Sequence, residues 1–327
     1  MNDVKFGLMP LPTDMAEAQA VAQRAEAQGF YSLSHNDHFY SPMGPPETPQ
    51  LECLTVLTVM GLATKTIKLA PSVLAASFRT PPMLAKVATA IDLATNGRFI
   101  CGLGAGWYDK EYEAHGYPFP PLKQRLEELE ETVQILKAMW TEEEPAFSGK
   151  HFTVHHAMNN PRPTQKSGPP IMLGGSGTGI LKMAARHADI INLIPPTGNG
   201  KDFINDPVAA VKFDRATLID RIAKLHQYCR EIDRDPNEIE LGGISFVALS
   251  TDADDPTLRE IASSLGFPDY ESAQRAPIAL FGTPDEVKQE LARRIEETGV
   301  TYYILAMASP ESHELFAEEV MPGFAAK

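Results

Sequence analysis

The chain has 327 residues, of which 43% are hydrophobic and 22% charged, and this composition excludes a disordered, collagen-like or coiled-coil protein. Its 43 acidic residues outnumber its 29 basic residues, and the net charge of −14 argues against a nucleic-acid-binding surface or an anionic-membrane surface. The three cysteines, Cys53, Cys101 and Cys229, lack metal-ligand spacing and are expected to be buried thiols in a reducing compartment. The sequence shows neither a leader nor an apolar run long enough to span a membrane, so we expect a cytoplasmic protein.

Short apolar runs alternate with helical patterns in the first half of the chain. Strands are predicted at Val4–Met9, Tyr31–Ser34, Ile67–Leu74 and Arg98–Leu103. Helices are predicted at Thr13–Gln28, Leu51–Thr64, Pro81–Thr95 and around the apolar stripe of Leu126, Leu129, Val133 and Leu136. Asp14 with Glu17 is typical of a helix start, and Gly29 of a helix end.

The second half continues the alternation. Strands are predicted at Pro170–Leu173, Asp189–Ile194, Ile239–Leu249 and Tyr302–Ala306. Helices are predicted at Thr178–His187, Arg215–Glu231 and Pro310–Val320, and between the capping box at Thr283–Glu286 and Gly299. Counting one unit of uncertain structure at Asp252–Ala276, eight strand–helix units favour an α/β protein built as a closed TIM (β/α)8 barrel over two Rossmann halves. We expect a single domain over residues 1–327, with loop insertions at the carboxyl ends of the strands.

Candidate functional residues follow the carboxyl ends of the strands, where barrel enzymes place their active sites. Gly174–Thr178 runs into a helix, so its backbone N–H groups and the helix N-terminus could bind a phosphate, although a tight glycine turn explains it equally well. Gly102–Gly106 lacks the third glycine of a dinucleotide fingerprint. It favours either a bare backbone surface for a flat ring or close packing of a strand against a helix.

His38 is the candidate proton-transfer residue, because an imidazole in a strand-end loop can exchange a proton near neutral pH. The adjacent carboxylate of Asp37 could orient it, and a surface histidine is the competing interpretation. His35 and His38 form an H-x-x-H pair, but no further ligands stand out, so no metal site is expected.

Several segments, in order along nearly the whole chain, resemble the bacterial luciferase-like superfamily. They are Asn36–Phe39, Ser72–Leu74 with Arg79, Gly97–Phe99, Gly102–Trp107, Pro120–Arg125, Ile171–Gly177 and Gly282–Val287. Within the superfamily, the chain is most similar to the branch that uses the deazaflavin coenzyme F420.

This resemblance implies a TIM barrel that binds a reduced flavin or deazaflavin at the carboxyl ends of its strands. His38, beside Asp37, matches a histidine near the hydride-transferring face of the ring, and Ser72 and Val73 match a non-prolyl cis peptide behind it. Gly104, Ala105 and Gly106 match backbone at the ring. The residues that match the phosphate-binding segment are Gly174, Gly175, Ser176, Gly177 and Thr178.

The chain departs from the deazaflavin-dependent sugar-phosphate dehydrogenases of this superfamily at two positions. They carry a glutamate where this chain has Trp107, and a tryptophan near the position of Pro42, so a sugar phosphate is not the expected substrate. The aromatic residues Phe39, Tyr40, Trp107 and Tyr108 instead predict an apolar pocket for a small organic substrate.

Three hypotheses remain open from the sequence. The first is hydride transfer between coenzyme F420 and a small molecule. The second is an FMN-dependent monooxygenase supplied with reduced flavin by a partner reductase, and the third is a cofactor-binding protein without turnover. A homodimer, with neither nucleic acid nor membrane as a partner, is expected from the resemblance and the charge.

Overall fold

The computed structural model describes residues 4–41, 47–195 and 212–324. These residues form two compact units. The first unit contains described residues 11–41, 47–174 and 186–190, and the second contains 4–10, 175–185, 191–195 and 212–324. Pro42 and most of the loop predicted between Pro195 and Asp214 lie outside the described residues.

Strands and helices alternate in both units. The strands are β1 (Lys5–Leu8), β2 (Ser32–Leu33), β3 (Lys68–Leu69), β4 (Leu74–Ala75), β5 (Cys101–Gly104), β6 (Phe147–Ser148), β7 (Thr153–Val154), β8 (Ile171–Gly174), β9 (Ile190–Asn192), β10 (Glu240–Leu249), β11 (Ala279–Gly282) and β12 (Tyr302–Met307). The helices are α1 (Met15–Gln28), α2 (Cys53–Leu62), α3 (Pro81–Ala94), α4 (Asp109–Ala114), α5 (Leu122–Thr141), α6 (Thr178–His187), α7 (Arg215–Arg230), α8 (Pro256–Ser264), α9 (Tyr270–Arg275), α10 (Pro284–Thr298) and α11 (Pro310–Leu315).

The strands of the first unit are parallel, apart from the short antiparallel hairpin of β6 and β7. β2 pairs with β3, and β5 pairs with β4 on one side and β8 on the other. A single bridge between Leu69 and Phe99 joins the two groups. Because the paired strands run in one direction, the loops after β2, β4 and β5 leave the same edge of the sheet.

The second unit contains a parallel sheet in the order β1, β12, β10, β11. Lys5 and Gly242 both pair with Tyr302, and Phe246 pairs with Ala279. All four residues of β11 pair in parallel with Phe246–Leu249 of β10, so β11 is a full member of the sheet. The expected α/β class with parallel strands is confirmed in each unit.

The helix ends predicted from the sequence are confirmed. Asp14 caps α1 by accepting hydrogen bonds from the N–H groups of Ala16 and Glu17, both at 2.8 Å, and Gly29 ends the helix in the left-handed conformation at φ 88°. The capping box of Thr283 and Glu286 opens α10, which ends at Gly299 with φ 69°.

Several elements differ from the predictions. The predicted strand Ile67–Leu74 is divided into β3 and β4, because Pro71 lacks an N–H donor for the sheet. β11 was not predicted, since its four residues lie directly before the capping box and look like a turn. The helix predicted at Pro310–Val320 ends at Leu315 and continues as a π-helical turn. α4 was not predicted either, because six residues are too few to show a helical period.

Glu26, in the last turn of α1, connects this helix to the start of β3. One carboxylate oxygen accepts hydrogen bonds from the backbone N–H groups of Lys65, Thr66 and Ile67 at 2.8, 2.6 and 3.1 Å. Partial burial acts to raise the pKa of Glu26, but these donors outweigh it and lower the pKa from 4.5 to about 2.

We expect Glu26→Gln to reduce the free energy of unfolding by about 1 kcal/mol at neutral pH, because a charged acceptor of three backbone donors is lost. A lowered pKa stabilises the fold only where the carboxylate is ionised, so the wild-type advantage should decline as the pH falls from 4.5 toward about 2. Urea titrations at pH values near 7 and 3 measure this difference. Glu296→Gln, an exposed change on α10, is the control. An equal loss for Glu26→Gln at both pH values would contradict the expectation.

Candidate active site

Asp37, in the loop after β2, forms a buried ion pair with Arg79. The guanidinium donates from Nη1 to Oδ2 at 2.8 Å and from Nη2 to Oδ1 at 2.9 Å. Oδ2 also accepts a hydrogen bond from the backbone N–H of Ala75 in β4, at 3.0 Å. Arg79 donates in addition to Glu52 at 2.7 Å, and Glu52 caps the start of α2. One guanidinium therefore joins the β2 loop, β4 and α2.

The charges of this cluster stabilise one another. Burial acts to lower the pKa of Arg79, but its contacts with Asp37 and Glu52 outweigh burial and raise it. Burial likewise acts to raise the pKa of Glu52, whereas Thr55 and Arg79 lower it. Both groups therefore stay ionised, and the bidentate geometry is the one in which an arginine–carboxylate pair is strongest.

The carboxylate partner of His38 is Glu111, which the sequence analysis did not identify. Nδ1 of His38 lies 2.8 Å from Oε2 of Glu111, and the other oxygen, Oε1, accepts a hydrogen bond from the backbone N–H of Phe39 at 2.5 Å. The Glu111 side chain is 1% exposed and that of His38 is 13% exposed. We expected Asp37 to orient His38, but its carboxylate accepts hydrogen bonds from Arg79 and from the N–H of Ala75 instead.

Glu111 reaches His38 because α4 follows the β5 loop directly. Its position lies four residues after Trp107. A carboxylate thus reaches the imidazole from the next helix although the loop itself carries a tryptophan. The only sequence signal was an acidic residue at the start of a short polar segment, which is ordinarily solvent-exposed.

The aromatic residues predicted to line a substrate pocket lie around His38. Trp107 and Tyr108 make T-shaped contacts with its ring, with centroids at 5.5 and 6.2 Å, and stack on each other at 5.0 Å. Tyr40 meets Tyr108 at 5.6 Å. Phe39 packs against a second group of rings, with centroid distances of 4.7, 4.4 and 5.6 Å to Phe78, His115 and Tyr117.

This aromatic surface has acidic neighbours. Burial raises the pKa of Tyr40 to about 12, with further contributions from the Tyr108 hydroxyl and from the carboxylates of Glu111 and Asp109. The Tyr40 hydroxyl therefore stays neutral at ordinary pH, and the aromatic surface around it suits an apolar group.

The glycines at the end of β5, just after it and at the end of β8 are required by packing within the first unit. A Cβ on Gly104 would lie 2.7 Å from Cγ2 of Val73, and one on Gly174 would lie 2.8 Å from the same atom. Gly106, at φ 74°, faces the hydroxyl of Tyr112, which is hydrogen-bonded to Ser77 at 2.7 Å. The Ser72–Val73 peptide bond is cis, as the family resemblance implied. Close packing, one of the two interpretations of Gly102–Gly106, is therefore supported.

The remaining predicted cofactor residues belong to the second unit. The N–H of Gly175 donates to Asn192 at 2.9 Å, and the buried hydroxyl of Ser176 donates to the carbonyl of Ile194 at 2.5 Å. Apart from its two chain neighbours, no described residue has a heavy atom within 4 Å of a Cβ placed on Gly177. Thr178 is the first residue of α6. The segment therefore offers an open glycine and backbone groups at a helix start, with the Ser176 hydroxyl already engaged.

The H-x-x-H pair does not form a metal site in the described part of the chain. His35 is 1% exposed, and its Nε2 lies 3.0 Å from the side-chain nitrogen of Gln50, whereas His38 is paired with Glu111. Among the described residues, no group of three or more histidine, cysteine, aspartate or glutamate side chains has a metal-binding arrangement. None of the described helices has both the length and the apolar character needed to cross a membrane.

The sequence matches the luciferase-like monooxygenase family over residues 4–302, and the chain belongs to this family. An F420-dependent glucose-6-phosphate dehydrogenase of Mycobacterium avium (strain 104) is 27% identical over 341 residues, which cover 98% of both chains. An FMNH2-dependent dimethylsulfone monooxygenase of Pseudomonas putida is 30% identical over 177 residues, which span 54% of this chain and 48% of that protein. The match to the F420-dependent glucose-6-phosphate dehydrogenase of Kineococcus radiotolerans likewise spans about half of that relative, 53%.

A solved structure with the same fold is that of an F420-dependent secondary alcohol dehydrogenase in complex with an F420–acetone adduct. Its TM-score to this chain is 0.79 at 19% sequence identity, and the match covers 99% of this chain and 100% of that one. The family thus contains both F420-dependent and FMN-dependent members among the relatives of this chain.

We expect Gly104→Ala to lower the free energy of unfolding by about 1–3 kcal/mol, because the new methyl group overlaps Val73. Val73→Ala in the same chain should recover part of this loss, since it removes the overlapping methyl groups. Gly177→Ala is the matched control, because the described residues leave its side open. Denaturant titration of the four proteins measures the effect. Equal stability of Gly104→Ala and the wild type would show that packing does not require this glycine.

Proposed function

We propose that this chain is an oxidoreductase that transfers a hydride between coenzyme F420 and a small organic substrate. The observation that carries the proposal is the setting of His38. Its imidazole is held by Glu111 on one side and lies beside aromatic rings on the other, and its Nε2 has no hydrogen-bond partner among the described residues. A proton-transfer group beside an apolar surface is what a hydride transfer to or from a carbonyl carbon requires.

The proposal includes the complete architecture. Residues 1–327 would form a single domain, a TIM (β/α)8 barrel with loop insertions at the carboxyl ends of its strands. The parallel pairing within each unit supports this, and so does the likeness to a chain matched over its full length.

F420 supplies the ring carbon that gives or takes the hydride when it is bound. In the first unit, we assign the ring to the backbone of Gly104, Ala105 and Gly106 and to the cis peptide of Ser72 and Val73. Val73 fits this assignment because its side chain fills the space left by Gly104 and Gly174 and so gives that surface a fixed shape.

The phosphate of the cofactor is assigned to Gly174, Gly175, Ser176, Gly177 and Thr178. The described residues leave space beside Gly177, and the start of α6 supplies backbone N–H groups and partial positive charge. Ser176 would contribute through its backbone, since its hydroxyl donates to Ile194.

The catalytic assignment is His38 for proton transfer, with Asp37 holding the loop in place through Arg79. Phe39, Tyr40, Trp107 and Tyr108 form the proposed substrate surface. Their rings, together with the acidic neighbours of Tyr40, favour a neutral alcohol or carbonyl compound over a sugar phosphate.

The second candidate is an FMN-dependent monooxygenase that receives reduced flavin from a reductase. The match to the dimethylsulfone monooxygenase favours it, because both cofactors carry a tricyclic ring that the same backbone could bind. Parallel titrations with F420 and with reduced FMN, followed by oxygen-electrode measurements, separate the two candidates. Tight binding of F420 with oxygen-independent turnover supports the proposal. Binding of FMN alone, or of F420 without turnover of any alcohol or carbonyl tested, overturns it.

We expect His38→Ala to reduce kcat by about 10²–10⁴-fold while the Kd for F420 stays nearly unchanged, because the imidazole serves proton transfer and not ring binding. Steady-state kinetics and a fluorescence titration of F420 give the two values. The exposed His155→Ala should match the wild type in both. Undiminished turnover in His38→Ala would reject the assigned role.

We also propose that the protein is a cytoplasmic homodimer. α2 and α3 pack together, and Leu62, Met83 and Leu93 on these helices are 65%, 58% and 39% exposed. Apolar exposure of this kind suits a subunit contact. Size-exclusion chromatography with light scattering should give twice the chain mass of 35.8 kDa. A mass of one chain over a range of concentrations would contradict the dimer.

A further inference from the structure

We propose that Glu111 is a positioning residue that fixes the proton of neutral His38 on Nδ1 and leaves Nε2 as the nitrogen that exchanges a proton with the substrate. The part concerning the substrate rests on the function proposed above. The position of the proton on His38 is a property of the protein alone and can be tested without a cofactor.

The two carboxylate oxygens of Glu111 have separate tasks. Oε2 lies 2.8 Å from Nδ1 of His38. Oε1 accepts from the N–H of Phe39 at 2.5 Å and lies 3.4 Å from the N–H of Tyr40. An ionised carboxylate can only accept hydrogen bonds, so the nitrogen facing it must carry the proton. In a neutral imidazole the proton is then absent from Nε2.

The surroundings leave Glu111 as the carboxylate that acts on this imidazole. Asp37 adjoins His38 in sequence, but its oxygens are bound by Arg79 and by the N–H of Ala75. In the described part of the chain, the rings of Trp107 and Tyr108 make T-shaped contacts with the imidazole, at centroid distances of 5.5 and 6.2 Å. Burial of Glu111 to 1% exposure keeps water from competing for the contact.

This arrangement defines the proton path for the proposed reaction. When an alcohol is oxidised, its hydroxyl proton passes to the lone pair of Nε2 as the hydride leaves the carbinol carbon for the cofactor, and the C=O bond forms. In the reduction, the protonated imidazole returns that proton to the oxygen. In both directions Nδ1 keeps its proton, and the carboxylate stabilises the imidazolium formed in between.

Glu111→Gln should reverse the tautomer. The amide has a single acceptor oxygen, and the N–H groups of Phe39 and Tyr40 require an acceptor at the position of Oε1. The amide NH2 then faces Nδ1, which becomes an acceptor, and the proton moves to Nε2. The size of the side chain is retained, so the change acts through hydrogen-bond polarity.

The test is ¹⁵N NMR of the cofactor-free protein with labelled histidine, at a mildly alkaline pH where an ordinary imidazole is neutral. The chain has 9 histidines, and the signals that His38→Asn removes identify the ring in question. We expect the wild type to show the proton on Nδ1 and Glu111→Gln to show it on Nε2. Glu127→Gln, which changes the carboxylate that lies 2.9 Å from His151, should leave the His38 signals unchanged.

Kinetics with F420 test the consequence for turnover. Glu111→Gln should reduce kcat by about 10²-fold or more while KM for F420 stays within a small factor, and Glu127→Gln should match the wild type. A wild-type signal with the proton on Nε2 overturns the proposal without any variant, even if Glu111→Gln fails to fold. An Nδ1 proton in a wild type that shows no turnover with F420 would refute the proposed function and leave the tautomer assignment standing.

Discussion

The bidentate ion pair between Asp37 and Arg79 is the contact on which the geometry of the first unit's candidate site depends. Asp37 precedes His38 directly, and its carboxylate also binds the N–H of Ala75, so the loop after β2 is fixed to β4. Arg79 extends the link to Glu52 at the start of α2. A buried charge that lost this partner would be left uncompensated, which is far more costly than the loss of an exposed pair. The ion pair therefore sets where the backbone of His38 can lie.

The carboxylate of Glu111 contacts the side chain of His38, whereas the ion pair of Asp37 fixes the backbone of the loop that carries His38. Placing and orienting are thus assigned to different acids, Asp37 from the same loop and Glu111 from α4. The separation matters for chemistry, because an acid that also had to neutralise Arg79 would interact more weakly with the imidazole. α4 contributes in addition Tyr112, whose hydroxyl faces Gly106, so one short helix supports both the histidine and the backbone after β5.

Much of the fold could be predicted from the sequence because periodicity and caps are local signals. The ends of α1 and α10 follow from Asp14, Gly29 and the Thr283 capping box, and the alternation of strands and helices follows from apolar spacing. The residues His38, Trp107 and Tyr108 were found because they follow strands. Glu111 was missed since its burial arises from a contact across 73 positions, which no local pattern encodes. The partner of Asp37 was misassigned for the same reason: adjacency in sequence suggested His38, whereas the fold supplies Arg79, 42 positions away.

The proposed binding residues of each unit depend on local charge more than on the net charge of −14. Around Tyr40, burial and the carboxylates of Glu111 and Asp109 raise the cost of a further negative charge, so an anionic substrate group would be repelled there. At Gly175–Thr178 the polar groups offered are those of the backbone, where oriented N–H dipoles attract an anion without adding a side-chain charge. Under the proposed function, backbone dipoles would hold the cofactor phosphate without a basic side chain, and the proposed substrate at His38 is neutral. Exchange of Trp107 for a basic residue would weaken this selection, because it would replace an apolar ring with a cation that an anionic substrate could pair with.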